Sequence, residues 1–245
     1  EDPVPFSSDP GTAIPLEPYT MRLKAGWNMV GSPFAFPVEV LADPSEVSAL
    51  YFFGDSTNRD GWTLTKYTMN PWAGYAIYTE LDSTSIELLP FAENPSNNTA
   101  RKISESGWSV YLSAESGEYF DKTGIIGRHI HAQDFRDKMD MPRLPSISKG
   151  LLMALSLEGE KIPKYSSDIR SLDTKNGVWN VSLFSSVNNE AVQFSAQHKG
   201  LTSSDIVVSV LDIQTRKVYN DIFNTPIIIN DRLTHGYELK FIIGN

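Results

Sequence analysis

Histidines are weighed first, because imidazole binds metals and moves protons near neutral pH. The chain has four: His129, His131, His198 and His235. His129-Ile130-His131, followed by Asp134, Asp137 and Asp140, is the densest grouping of metal-type ligands. Residues two apart on a strand face one side, so both imidazoles would meet one ion, with Asp134 completing the set. The D-x-x-D-x-x-D spacing is not that of a hard-cation loop, and solvated acids in a polar connection are the stronger reading. A second oxygen-rich stretch holds Asp55, Asn58 and Asp60 and ends at Gly61. Counted from Ser56, it matches the first half of a calcium loop, with glycine sixth. Tyr67 stands twelfth, where a bidentate Glu is required, so a hairpin tip is expected there and calcium is a weak alternative.

Nucleophilic catalysis has no supporting motif, since G-x-S-x-G does not occur. Glu115 and Glu118 are acids that only a known fold would pair for glycoside hydrolysis. No residue is assigned a catalytic role. The aromatic set is denser: Trp62, Tyr67, Trp72, Tyr75 and Tyr78 fall within seventeen residues. Exposed flat rings stack on sugars, so Trp72, Tyr75 and Trp62 are the candidate ligand-binding residues. The competing reading packs these rings into a core. Asn97-Asn98-Thr99 and Asn180-Val181-Ser182 fit a glycosylation acceptor, the second within an expected strand.

The elements that would position these residues are strands. A 245-residue chain with 40% hydrophobic residues can build one large β domain or two smaller ones. It has no cysteine, which removes disulfides and thiolate metal sites. A net charge of −9 with scattered Lys and Arg argues against nucleic acid. No apolar run is long enough to span a membrane as a helix. Five prolines within residues 1–18 predict a linker or edge segment. Short alternating runs then suggest a small β domain over 19–92, including a hairpin from Leu50–Phe53 and Trp62–Met69. Asn94-Pro95-Ser96-Asn97-Asn98 marks a linker over 93–106, and a β-sandwich is expected over 107–245. Within it, Phe120–Arg136 reads as loop plus short strands because of its glycines. The fold class is all-β, antiparallel, with little helix.

One pattern recurs. Gly26-Trp27, Gly61-Trp62, Gly107-Trp108 and the Gly177-Val178-Trp179 variant each place glycine ahead of a tryptophan that starts a strand. The series reads as a turn followed by a core anchor. The order L-K-A-G-W-N-M-V-G-S-P, N-P-W-A-G-Y-A-I-Y, G-W-S-V-Y-L-S-A and Y-E-L-K-F-I-I-G-N resembles the β modules on the C-terminal side of large secreted or cell-surface bacterial proteins. Those modules stand upstream of a sorting or Ig-like domain. The resemblance implies an extracellular or cell-surface location and a fragment of a longer polypeptide. It also implies a non-catalytic role as spacer, docking or assembly unit. Partners would be neighbouring domains or other surface proteins, with the terminal strand Tyr237–Ile243 as one contact edge. The alternative is a carbohydrate-binding module beside an extracellular hydrolase, with polysaccharide as ligand.

Overall fold

The computed structural model describes residues 14–54, 59–65, 67–90, 107–137, 139–146, 149–157, 159, 164–173, 177–186, 191–200, 207–230, 233 and 235–244. Among these the chain is all-β. The first strands are β1 (Tyr19–Arg22), β2 (Gly26–Gly31), β3 (Val38–Leu41), β4 (Tyr51–Phe53), β5 (Asp60–Leu64), β6 (Thr68–Met69), β7 (Gly74–Thr79) and β8 (Ser85–Leu89). Then come β9 (Gly107–Ser116), β10 (Tyr119–His129), β11 (Leu151–Ser156), β12 (Ser167–Ser171) and β13 (Gly177–Ser185). The last are β14 (Val192–Lys199), β15 (Val207–Asp212), β16 (Val218–Tyr219), β17 (Ile227–Ile229) and β18 (Tyr237–Gly244).

They form three sheets. One has the order β1-β8-β3-β6, and another β11-β13-β18-β15-β16. The longest runs β17-β14-β9-β10-β5-β4-β7-β2, with β12 also paired to β10. Most pairings are antiparallel, but β10 accepts both β5 and β12 in parallel.

Alternation builds the main core. Val110, Leu112 and Ala114 of β9, and Val192, Phe194 and Ala196 of β14, are buried at every second position. They face Trp179, Val181 and Leu183 of β13 and Leu239 and Phe241 of β18. Each fully buried Leu, Val or Phe contributes about 1.5–3 kcal/mol relative to exposure. A second core joins Val38, Val40, Ile86 and Leu88 to Leu50, Tyr75 and Ile77. These two cores fall on either side of the expected linker, but a third cluster of Tyr51, Trp62, Ala76 and Leu144 crosses that division, and so does the long sheet, because β5 is hydrogen-bonded to β10.

Several local expectations change. The hairpin is present, with Tyr51 opposite Leu64 and Phe53 opposite Trp62, but its second arm stops at Leu64, and Thr68–Met69 pairs with β3 in another sheet. β1 and β2, adjacent in sequence, belong to different sheets. Phe120–Arg136, expected as loop plus short strands, begins with the eleven-residue β10. Its glycines serve close packing: a Cβ at Gly127 would lie 2.4 Å from the Trp108 carbonyl oxygen. Similar crowding explains two of the glycine-tryptophan steps. A Cβ on Gly61 would sit 2.0 Å from Phe120 O, and one on Gly107 1.9 Å from Arg128 O. The terminal strand β18 is not an edge. It lies between β13 and β15, with both sides paired, so it offers no open ladder.

Candidate functional site

Among the described residues, the turn between β6 and β7 carries the most exposed large hydrophobic side chain. Trp72 is 92% exposed and sits at φ 61°, a left-handed conformation that bulky residues rarely adopt. The turn is tied from below, where Asn70 N donates to the Tyr75 hydroxyl at 2.7 Å. β7 then pairs with β2, placing Gly74 opposite Gly31. Trp72 therefore stands at the end of the outermost ladder of the long sheet. Phe36, also exposed, follows β2 and packs on Phe34 at 5.5 Å.

The other two rings of the expected platform are core residues. Tyr75 is 2% exposed and packs on Phe52 at 5.6 Å. Trp62 is 5% exposed, meets Phe53 edge-on at 5.2 Å, and its Nε1 donates to Pro145 O at 3.0 Å. Tyr75 belongs to the second core and Trp62 to a third cluster with Tyr51, Ala76 and Leu144, so neither lies on a flat binding surface. Trp27 is half-buried between Tyr51 and Tyr78, at 5.6 and 5.3 Å.

His129 closes β10 and is buried, whereas His131 lies in the exposed turn that follows. The strand ends before two-residue periodicity can align them. The rings stand 5.4 Å apart, and His131 N donates to His129 Nδ1 at 3.2 Å. Among the described residues, no group of three or more His, Asp or Glu is arranged to hold a metal ion. Asp55 and Asn58 lie outside the described residues. Asp60 opens β5, and its N–H donates to Glu118 O at 2.9 Å.

The D-x-x-D-x-x-D run has another use. Asp134 accepts from Ser171 N at 3.1 Å and lies 3.9 Å from Arg128. Asp137 accepts from Gln133 N at 2.7 Å and Met139 N at 2.6 Å. Asp140 accepts from Asp137 N at 2.9 Å and Ile169 N at 3.0 Å. The three carboxylates fold the connection after β10 onto β12 by capping backbone donors. Burial pushes the Asp140 carboxyl up to about 7, opposed by those two N–H bonds and reinforced by Asp168 and Asp137.

Glu115 does not form an acid pair with Glu118. Arg59 at 2.7 Å and Lys122 at 2.9 Å grip its carboxylate. Partial burial raises its proton affinity, but the two cations outweigh this and hold it below the usual carboxylate range. A general acid needs the opposite shift.

Sequence reading missed a buried polar cluster beside the core. Arg170 holds Asp168 with two bonds, at 3.0 and 2.8 Å, and both residues are buried. The Arg170 guanidinium lies 4.7 Å over Trp179, whose Nε1 donates to Asp168 O at 3.1 Å. Asp-Ile-Arg within an alternating run was the available signal, because it puts opposite charges on one strand face. Asp121 is buried as well, and desolvation raises its carboxyl despite bonds from Thr123 and Met153. It accepts from Met153 N at 2.7 Å, joining the long sheet to β11. These carboxylates are satisfied by cations or backbone donors and serve the fold. Trp72 is the candidate site, because nothing in the packing requires its ring to be where it is. Comparison with protein-family models, curated proteins and solved structures returned no match.

Proposed function

We propose that this chain is a non-catalytic module of an extracellular or cell-surface bacterial protein, and that it docks onto a partner through the Trp72 end. The display of Trp72 carries this reading. An indole 92% exposed, on a left-handed residue, in a turn fastened by the Tyr75 hydroxyl, costs solvation and backbone energy without adding to the core. Burying such a ring against a partner recovers that cost, and tryptophan is enriched among residues that dominate interfaces. The spacer, docking and assembly roles suggested by the sequence narrow in this way to docking.

The carbohydrate alternative keeps one ring of three, since Trp62 and Tyr75 are core residues. A single indole still stacks on a pyranose, so the test includes glycans. Intact wild-type chain and Trp72→Ala are assayed for self-association by light scattering and for binding to a panel of immobilised polysaccharides. The expected result is association in one format, lost on Trp72→Ala with the melting temperature unchanged. Association undiminished by the substitution, or none in either format, overturns the reading.

A further inference from the structure

We propose that β2 is a docking edge, and that its occupant is β2 of a second copy of this chain, giving a two-fold dimer with a continuous antiparallel sheet. The proposal rests on the docking reading above and names the partner. Among the described residues the long sheet ends at β2, whose one ladder partner is β7. The register from Gly26–Thr79 to Gly31–Gly74 runs without a bulge. The strand reads Gly-Trp-Asn-Met-Val-Gly, with neither charge nor proline. Edges are normally blunted by charge, proline, bulges, short length or a covering segment.

Every other sheet end among the described residues carries such a device. β17 has three residues and follows Pro226, while β16 has two and follows Arg216-Lys217. β1 ends in Arg22 after Pro18, and β6 has two residues ahead of Asn70-Pro71. β11 is as long as β2, but Leu155 on it exchanges backbone bonds with Lys164 and Tyr165. β2 alone combines length, straight register and absence of charge.

Self-complementarity names the occupant, and the neutral strand gives two chains of net charge −9 a seam without charge. Antiparallel pairing of β2 with itself, centred on Met29, sets Met29 opposite its symmetry mate and the Trp27 ring opposite Gly31. Lys24, the nearest charge, then falls opposite Phe34. No like charges oppose across the seam. Met29 is 56% exposed, and Trp72 stands at the Gly31 end of the same ladder.

The test is sedimentation equilibrium of the intact chain over a wide concentration range. Wild type should weigh twice its 27.3 kDa chain mass as concentration rises. Met29→Lys, a change at an exposed position, should remain monomeric with unaltered melting. Leu41→Lys, on β3 and 44% exposed, should dimerise as wild type does. A wild-type chain that stays monomeric, or a Met29→Lys chain that dimerises equally well, overturns the proposal. A monomer that still binds polysaccharide through Trp72 overturns this dimer and leaves the docking reading standing.

Discussion

Asp140 makes the stability of this fold depend on pH in an unusual direction. Its carboxyl is buried, and desolvation raises it from 3.8 to about 7. The folded value lies above the unfolded one, so the folded chain holds the proton more tightly, and stability falls as pH rises between them. Linkage gives a loss of about 2.6 kcal/mol from this residue between pH 5 and pH 8. Buried Asp121, also shifted upward, acts in the same direction. Glu115 and Asp212, shifted downward, act below their ordinary values of 4.5 and 3.8, outside that window. Asp140→Asn separates the contributions. The amide oxygen keeps one backbone bond and forfeits the other, at a pH-independent cost of about 1 kcal/mol. Urea unfolding across the window should show the wild type losing stability with pH and the variant losing markedly less. The two profiles should cross inside the window, the variant becoming the more stable toward pH 8. Parallel pH profiles would refute the assignment, as would a wild type that gains stability with pH.

Three further outcomes follow from the geometry. Gly107→Ala places a methyl 1.9 Å from Arg128 O, which cannot yield without splitting β9 from β10. A loss of about 3 kcal/mol or more is expected in urea unfolding, and an unchanged midpoint would disprove the close approach. Arg170→Ala leaves the Asp168 carboxylate buried without its cation and should cost about 3–5 kcal/mol, while Asp168→Asn combined with Arg170→Met should recover part of it. Co-expressed halves 1–98 and 99–245 should co-elute, because β5–β10 pairing, the Trp62–Pro145 bond and the Arg59–Glu115 ion pair cross the division. Separate elution of two folded halves would show that the long sheet is not continuous in solution.

Alternation carried most of the fold. The all-β class, most strand positions and the β4–β5 pairing were legible because one face of each strand is buried. Pairing was not legible. Nothing local in Asp60–Leu64 says that its free edge meets Tyr119–Lys122 in parallel. The glycines of β10 misled because glycine marks turns and close approaches alike, and only a neighbouring strand distinguishes them. The aromatic set was recognised but not resolved: composition finds Trp62, Trp72 and Tyr75 together, while only backbone placement tells two core rings from the exposed one. The acids after β10 looked like ligands because carboxylates that cap amides and carboxylates that bind cations need the same short spacings.

β10 explains how the long sheet joins strands from both halves of the chain. Its antiparallel partner β9 fills one side along most of its length. Its other side is shared, with β5 on Tyr119–Lys122 and β12 on Ile125–His129. The register shift between Asp121 and Gly124 falls between these two partners, and such an irregularity bends a strand locally. That break exposes amides inside the protein. Asp121 answers it by accepting from Thr123 N at 3.0 Å and Thr123 Oγ1 at 2.7 Å, while its second oxygen takes Met153 N from β11. One buried carboxylate thus fixes the bend that admits both parallel partners and fastens that bend to the opposite sheet. The arrangement leaves the β2 end as the open terminus of the ladder, which is where the exposed Trp72 stands.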